Sequence, residues 1–567
     1  MRIGLLTEGG YPYVGGDAGL WCDRLVRGLA QHEFDVYALS RGRQQEDAGR
    51  VPLPPQVDRV RTAPLWRAEG DGVAYGRRAR RRFTEYYGEL VEALSGGPGA
   101  ASGTGPAQQA DRFGNALYGL AELARDEGGL VGALRSDTAL RTLERACRAP
   151  GAPRTAREAR VADLLTVTAH LERALRPLSL DWYGADGLGA ADLCHATAGG
   201  TAALPGLLAR HLCDVPLLVT EYGVQLRSHY LALGPDAAAP AVRALLAAFH
   251  GLLAAEVYRR ATLLTPGNAH ARRWQERCGA ERARIRTVHP GMDASPFTEV
   301  GESPDRADPH TLVWVGRVEP AKDLVSLLHA FAEVRKEEPK ARLRIVGTPV
   351  GPEGEAYLGH CRVLAAQLFP DEAEGVHAVG DNPVSFEEIG GPEVPALPDA
   401  YAGAAVVVLS SVVEGFPNTL VEAMFSGRAT VSTDVGAVVE VIGGTGLVVP
   451  PRNPRALAEA CVALMRDPER RERLGAAARA RALELFTVEQ NIEAFDGIYL
   501  EIVSHCPVRR VVLDEDGDPL PFAAPAETHV PVHWTGPMAR ERVREASGRP
   551  PGDPVRATSG AVSEGTL

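Results

Sequence analysis

Two acids, Glu414 and Glu422, flank the stretch Gly415-Phe416-Pro417-Asn418-Thr419. The apolar run 404–409 just before them reads as a buried parallel strand. Thr419, followed by Leu420, Val421 and Met424, opens a helix. A loop bearing one carboxylate therefore runs into a helix start bearing a second. The first turn of a helix presents unpaired N–H groups and the positive end of the dipole, which suits a phosphate. The two carboxylates can then accept hydrogen bonds from hydroxyls on either side, a sugar on one and a ribose on the other. Read locally, Thr419 and Glu422 also have the spacing of a capping box, and Glu414 can be a solvated loop acid.

A second cluster lies upstream, at Gly316-Arg317 and Lys322-Asp323. The strand 311–315 ends in Gly316-Arg317, and Lys322 stands at the start of the next helix. Two cations beside a helix N-terminus can neutralise a diphosphate leaving group. Surface charge on a first turn is the alternative, yet cations there oppose the helix dipole. Other polar residues also end apolar runs: His195, then Glu221 and Tyr222. The carboxyl edge of an open α/β sheet is where ligands bind. His195 can equally be a core histidine with local partners. Gly15-Gly16, before the first helix, lets backbone approach a ligand closely or simply makes a tight turn.

These residues carry a resemblance to a known family. Glu414 and Glu422 stand at the E-x7-E spacing, and Gly316-Arg317…Lys322-Asp323 matches the other signature, of retaining GT-B glycosyltransferases of family 4. Glu8-Gly9-Gly10-Tyr11-Pro12-Tyr13-Val14-Gly15-Gly16 and Thr220-Glu221-Tyr222-Gly223 are similar to the PelF-like branch. That branch is the Pel polysaccharide glycosyltransferase type, with an N-terminal domain of the DUF3492 kind. The resemblance covers roughly residues 1–40 and 190–505.

The whole chain sets bounds of its own. At 567 residues it exceeds what one core usually supports, so two or more domains are expected. Apolar residues make up 45% and charged residues 24%, an ordinary globular balance. A net charge of −12 argues against a nucleic-acid binder. Eight cysteines without a CxxC pair form neither a disulfide framework nor a zinc site and fit a reducing cytosol. No stretch reads as a membrane span and no signal peptide is evident, so a cytoplasmic protein is expected.

Alternating strand and helix patterns, with the resemblance, give an α/β chain of GT-B type: two Rossmann-like domains facing a cleft. Residues 1–300 form an N-terminal acceptor domain, with a largely helical insertion at about 41–185. The linker lies near 300–309 and the donor domain at 310–485, with strands at 311–315, 342–346, 375–378, 406–409, 429–432 and 446–448. Residues 486–506 form a crossover helix back to the first domain, and 507–567 a disordered tail. A basic run, Arg77-Arg78-Ala79-Arg80-Arg81-Arg82, reads as a solvated helix face or a contact for acidic lipid.

The resemblance implies transfer of a sugar from a nucleotide diphosphate sugar to a hydroxyl acceptor, UDP-glucose or a related UDP-sugar being favoured. Arg317, Lys322 and Glu414 are the implied catalytic residues. Gly15, Gly16, Gly316, Gly415, Phe416, Pro417, Asn418, Thr419 and Glu422 would line the donor. His195, Glu221 and Tyr222 are candidate sugar or acceptor contacts, although the family commonly has a histidine where Tyr222 stands. Neither metal nor cofactor is expected, since a cationic pair can replace a divalent ion at the diphosphate. Peripheral association with a membrane polysaccharide-assembly complex is a further implied partner. The rival reading is a catalytically silent nucleotide-binding subunit of such a complex.

Overall fold

The computed structural model describes residues 1–13, 17–66, 70–96, 106–232, 239–303, 308–370 and 382–508. The Gly15-Gly16 turn, the glycine-rich loop over 97–105, the expected strand 375–378 and the tail beyond 508 lie outside them.

Short runs of Val, Ile and Leu bounded by Gly or polar residues form strands buried on both faces. In the first half these are β1 (Arg2–Glu8), β2 (Glu33–Ser40), β3 (Val57–Pro64), β4 (Leu193–Ala196), β5 (Leu217–Glu221) and β6 (Leu263–Pro266). They make one parallel sheet in the order β3-β2-β1-β4-β5-β6. The second half contributes β7 (Thr311–Val315), β8 (Arg342–Val346), β9 (Val384–Glu387), β10 (Val406–Leu409), β11 (Ala429–Thr433) and β12 (Leu447–Val449). Their order, β12-β11-β10-β7-β8-β9, has the same topology. In each sheet the winding reverses between the first strand and the fourth, which opens a crevice at the carboxyl ends there. The expected two-sheet α/β architecture of GT-B type is the one observed.

Three expectations need correction. The stretch 41–185 is not helical throughout, because β3 adds an edge strand to the first sheet. Its polar alternation (Asp58, Arg59, Arg61) hides it, since an edge strand need bury only part of its surface. The helices of that stretch include Arg77–Ser95, Pro106–Glu127 and Asp137–Cys147. In the second half, the helix Pro468–Leu485 was not anticipated; its buried positions are only Gly475, Ala478 and Ala482, too small to mark an apolar face. Last, one helix, Pro240–Arg260, is long and apolar enough to cross a membrane by length and composition. Leu245, Leu246, Phe249, Leu253 and Val257 on it are buried in the first core, so it packs as a core helix.

The helices that bear on function are α1 (Asp17–Gly28), α2 (Val161–Leu175), α3 (Gln225–Ala232), α4 (Pro240–Arg260) and α5 (Ala269–Arg277) in the first half. The second half has α6 (Asn418–Phe425), α7 (Val438–Ile442) and α8 (Val488–His505). Helix α8 follows the second sheet in sequence but packs on the first. A Cβ placed on Gly28 of α1 would lie 2.1 Å from Ile492 Cδ1 and 2.7 Å from its Cγ1, so only glycine lets the helices approach this closely. Trp21 Nε1 donates to Asn491 Oδ1 (3.0 Å), and Asn491 Nδ2 donates to the Tyr222 hydroxyl (3.0 Å) and the His289 carbonyl (2.6 Å). Deeper in, His195 Nδ1 meets the Tyr499 hydroxyl at 2.6 Å and Nε2 meets the Thr220 hydroxyl at 2.7 Å. His195 is fully buried, and desolvation lowers its pKa to about 3.

Two outcomes follow from this docking. Gly28→Ala should cost about 1–3 kcal/mol in denaturant unfolding. Adding Ile492→Ala should recover part of that loss; simple additivity of the two costs would refute the contact. The unfolded chain takes up a proton on His195 near its ordinary pKa, whereas the folded chain keeps it neutral to about pH 3. Stability should therefore fall as pH drops from about 6.5, by at most about 1.4 kcal/mol per pH unit from this residue. His195→Gln should flatten that slope between about pH 6 and pH 4, and an unchanged slope would rule out a buried neutral imidazole.

Candidate functional site

The two loops singled out by their charges are clamped together. After β7 the chain makes a tight turn at Pro320–Lys322 and places Asp323 at φ 49°, where its side chain accepts from the Ser326 N–H (3.2 Å). Asp323 thus caps the helix Leu324–Glu337, and Lys322 stands just before that helix rather than within it. From the loop after β10, the Val412 N–H donates to the Ala321 carbonyl (2.9 Å) and Ser410 Oγ to the Lys322 carbonyl (2.7 Å). The clamp sets Lys322 Nζ against Glu414 Oε1, and Ser411 Oγ donates to the same oxygen at 2.9 Å. The two charged side chains are only 14% and 10% exposed. Such a pair is partly desolvated, so its attraction is less screened than that of a surface pair. Gly436, at φ 57°, backs the loop: a Cβ there would lie 2.6 Å from the Glu414 carbonyl oxygen.

Helix α6 starts at Asn418, with Pro417 in the cap position and Thr419 already inside the first turn. The capping-box reading of Thr419 and Glu422 is therefore not realised. The Tyr401 hydroxyl donates to Glu422 Oε2 at 2.6 Å instead. Burial, then the Glu422 charge, raises the Tyr401 pKa well above its ordinary value, so the hydroxyl keeps its proton. Thr419 is half-buried beside Asn418 on the first turn. Phe416 packs against Phe486 (5.7 Å between centroids) and His289 (6.3 Å), joining the loop after β10 to the segments that precede α8 and follow α5. Gly415 fixes the loop from the other side by accepting from the Ala437 N–H at 3.1 Å. The Gly316 N–H donates to the Val346 carbonyl at 3.1 Å, which holds the β7 loop against β8.

Arg317 is placed differently from Lys322. Its side chain is 70% exposed, its acid neighbour is Glu319 at 3.8 Å, and it shares no hydrogen bond or ion pair with Lys322 or Glu414.

The first-half residues expected to meet the sugar or acceptor are mostly core residues. His195 has both ring nitrogens occupied inside the molecule. Glu221 is 1% exposed and accepts from the Tyr258 hydroxyl (2.6 Å) and Gln275 Nε2 (3.0 Å). Burial raises its pKa. Tyr222 is half-buried, its hydroxyl held by Asn491 and its ring 5.1 Å from that of Trp21. The reading of His195 and Glu221 as ligand contacts is thereby corrected: a strand end marks the carboxyl edge, but α8 covers this part of it.

Contacts with the second half come from residues with no local sequence signal. Arg227 of α3 donates to the Glu414 carbonyl at 3.0 Å. Glu440 of α7 accepts from the Ala269 N–H at the start of α5 (2.6 Å), and His289 Nε2 lies 3.8 Å from its other oxygen. Arg227, Tyr401 and Glu440 stand far from their partners in sequence, so periodicity could not pair them.

Residues 1–283 match the domain of unknown function DUF3492, and residues 309–467 match glycosyl transferases group 1. A D-inositol 3-phosphate glycosyltransferase of Nocardioides sp. is 30% identical over 308 residues, covering 52% of this chain and 64% of the relative. Its counterpart in Kineococcus radiotolerans is 34% identical over 223 residues, 36% and 49% of the two chains. The chain thus spans between about half and two thirds of the length of these relatives. Among solved structures, sucrose-phosphate synthase from Thermosynechococcus elongatus superposes with a TM-score of 0.52 at 16% identity, over 89% of this chain and 99% of that one. Anabaena HepE in complex with UDP gives 0.51 at 14%, over 88% and 99%. The chain therefore shares its two-sheet fold with these solved structures, and the group 1 match lies over the half that holds Lys322, Glu414 and Glu422.

Proposed function

We propose that the protein transfers a sugar from a nucleotide diphosphate sugar, UDP-glucose or a related UDP-sugar, to a hydroxyl acceptor with retention at the anomeric carbon. In this reading it is a family 4 enzyme of the PelF-like branch, serving exopolysaccharide or glycan synthesis in the cytoplasm. Its eight unpaired thiols support that compartment. The observation that carries the reading is the Lys322–Glu414 pair, clamped beside the start of α6, the helix that carries Glu422.

The difficult step is departure of a diphosphate from an oxocarbenium-like sugar. Lys322, preceding a helix start, is a fixed cation for the phosphate charge. In the resting site it neutralises Glu414; an arriving phosphate takes over the ammonium and frees Glu414 for the sugar hydroxyls. Glu422, oriented by Tyr401, accepts from the ribose hydroxyls. Exposed Arg317 closes over the phosphate from the rim. The departing phosphate oxygen can itself take the acceptor proton, so no protein base is demanded. No metal is required where lysine and arginine meet the diphosphate, and chelation should leave turnover intact.

Thermal unfolding against UDP, GDP and ADP tests the donor site. A nucleotide at ~100 times its Kd should add about 2.7 kcal/mol to wild-type stability. Lys322→Ala should lose most of that gain and lower kcat by roughly 100- to 1000-fold with the matching sugar donor. A folded wild type that responds to none of the three would favour the silent-subunit reading. The ribose assignment has its own check: the preference for UDP over 2′-deoxy-UDP should shrink by about tenfold in Glu422→Gln. An unchanged preference would remove Glu422 from the ribose.

A further inference from the structure

A cavity of about 230 Å³ opens at the carboxyl edge of the first sheet. Glu8 at the end of β1 and Trp66 just beyond β3 line it, with His170 and Arg173 of α2, Gln225 of α3 and His250 of α4. Helix α3 also connects the cavity to the donor loop, because Arg227, two residues beyond Gln225, donates to the Glu414 carbonyl. The helices between β3 and β4 thus supply one wall of a pocket beside the proposed donor site.

Its charges are unbalanced. Arg173 lies with its guanidinium 3.6 Å from the centre of the Trp66 ring and, among the described residues, forms no ion pair with a carboxylate. Arg176 nearby is satisfied by Glu172 at 2.6 and 2.9 Å. A half-buried cation held only by an aromatic face gains from an anion that reaches it. His250 Nδ1 is buried without a hydrogen-bond partner, and the His250 ring lies 4.7 Å from that of His229. Glu8, the acid in the cavity, stands at the end of β1, whereas His170 and Arg173 stand on α2. The cavity therefore offers a carboxylate for hydroxyls from β1 and, from α2, a cation stacked on an aromatic face.

We infer that this cavity binds the acceptor, and that the acceptor is a sugar or other polyol bearing a phosphate or carboxylate, which Arg173 receives. This rests on the transferase reading above. Burial holds His170, His229 and His250 below their ordinary pKa, His250 at about 4, and neighbouring cations add to this at His170 and His250. An anion beside Arg173 reverses that balance, so binding draws in protons and strengthens as pH falls. Glu8, its pKa raised by burial against the opposing charge of Arg41, is protonated more readily as pH falls and then still hydrogen-bonds hydroxyls.

Calorimetric titration of the full chain with glucose 6-phosphate, glucuronate and glucose, with and without UDP, tests this. At least one acid should bind about tenfold or more tightly than glucose, and more tightly at pH 6 than at pH 8. Which acid wins tells phosphate from carboxylate. Arg173→Met, which keeps the aliphatic stem over Trp66, should erase the preference while UDP still binds. Equal binding of glucose, binding of neither acid, or a preference that survives Arg173→Met overturns the inference. Should that variant fail to fold, the wild-type comparison still decides. Acid binding without UDP binding would keep the pocket and reject the donor reading.

Discussion

The relative position of the two sheets depends on one docked helix. The sheets share no hydrogen-bonded strand, so α8 and the linker must hold them in register. Asn491 is the knot: its side chain joins Trp21 of α1, Tyr222 after β5 and the His289 carbonyl of the linker. The backbone adds a bond from the Met292 N–H to the Phe486 carbonyl at 2.8 Å. A buried amide with its donors and acceptor all used is costly to break, because each partner would be stranded without water. Every contact across the cleft, Arg227 to the Glu414 carbonyl included, presupposes that registration.

Within the second half, the loops after β7 and β10 work as one unit. Neighbouring strands at the reversal point bring them side by side, and the bonds from Val412 and Ser410 lock them. Lys322 and Glu414 are thereby held on backbone that cannot drift independently, which is what electrostatic preorganisation needs. Tyr401 does the same for Glu422 from a different helix. The site is built on short loops at rigid strand ends, where a small change in strand placement would separate the charges.

The helices inserted after β3 have two roles. They bury a large core with α4, and α2 turns His170 and Arg173 toward the edge of the first sheet. The same insertion that lengthens the first half therefore shapes the surface opposite the donor loops.

Much was legible in the sequence because it is local. Apolar runs ending in small or polar residues marked β1, β4, β5, β7 and β10, and the acid and cation spacings around them located Lys322, Glu414 and Glu422. Local spacing could not tell a strand end in the cleft from one under a helix. His195 and Glu221 looked alike in pattern to ligand contacts, yet α8 and the Tyr258–Gln275 pair close over them. The edge strand β3 and the small-residue helix Pro468–Leu485 escaped because neither needs a strong apolar period. The sequence by itself determined the two-sheet α/β architecture and the charges carried by the loops after β7 and β10, since strand burial and helix-end charge act over a few residues. The tertiary structure alone decided which polar residues are core and which face the cleft. Those outcomes depend on partners 20 to 470 positions away, such as Tyr401 for Glu422 and Asn491 for Trp21, and only folding brings them together.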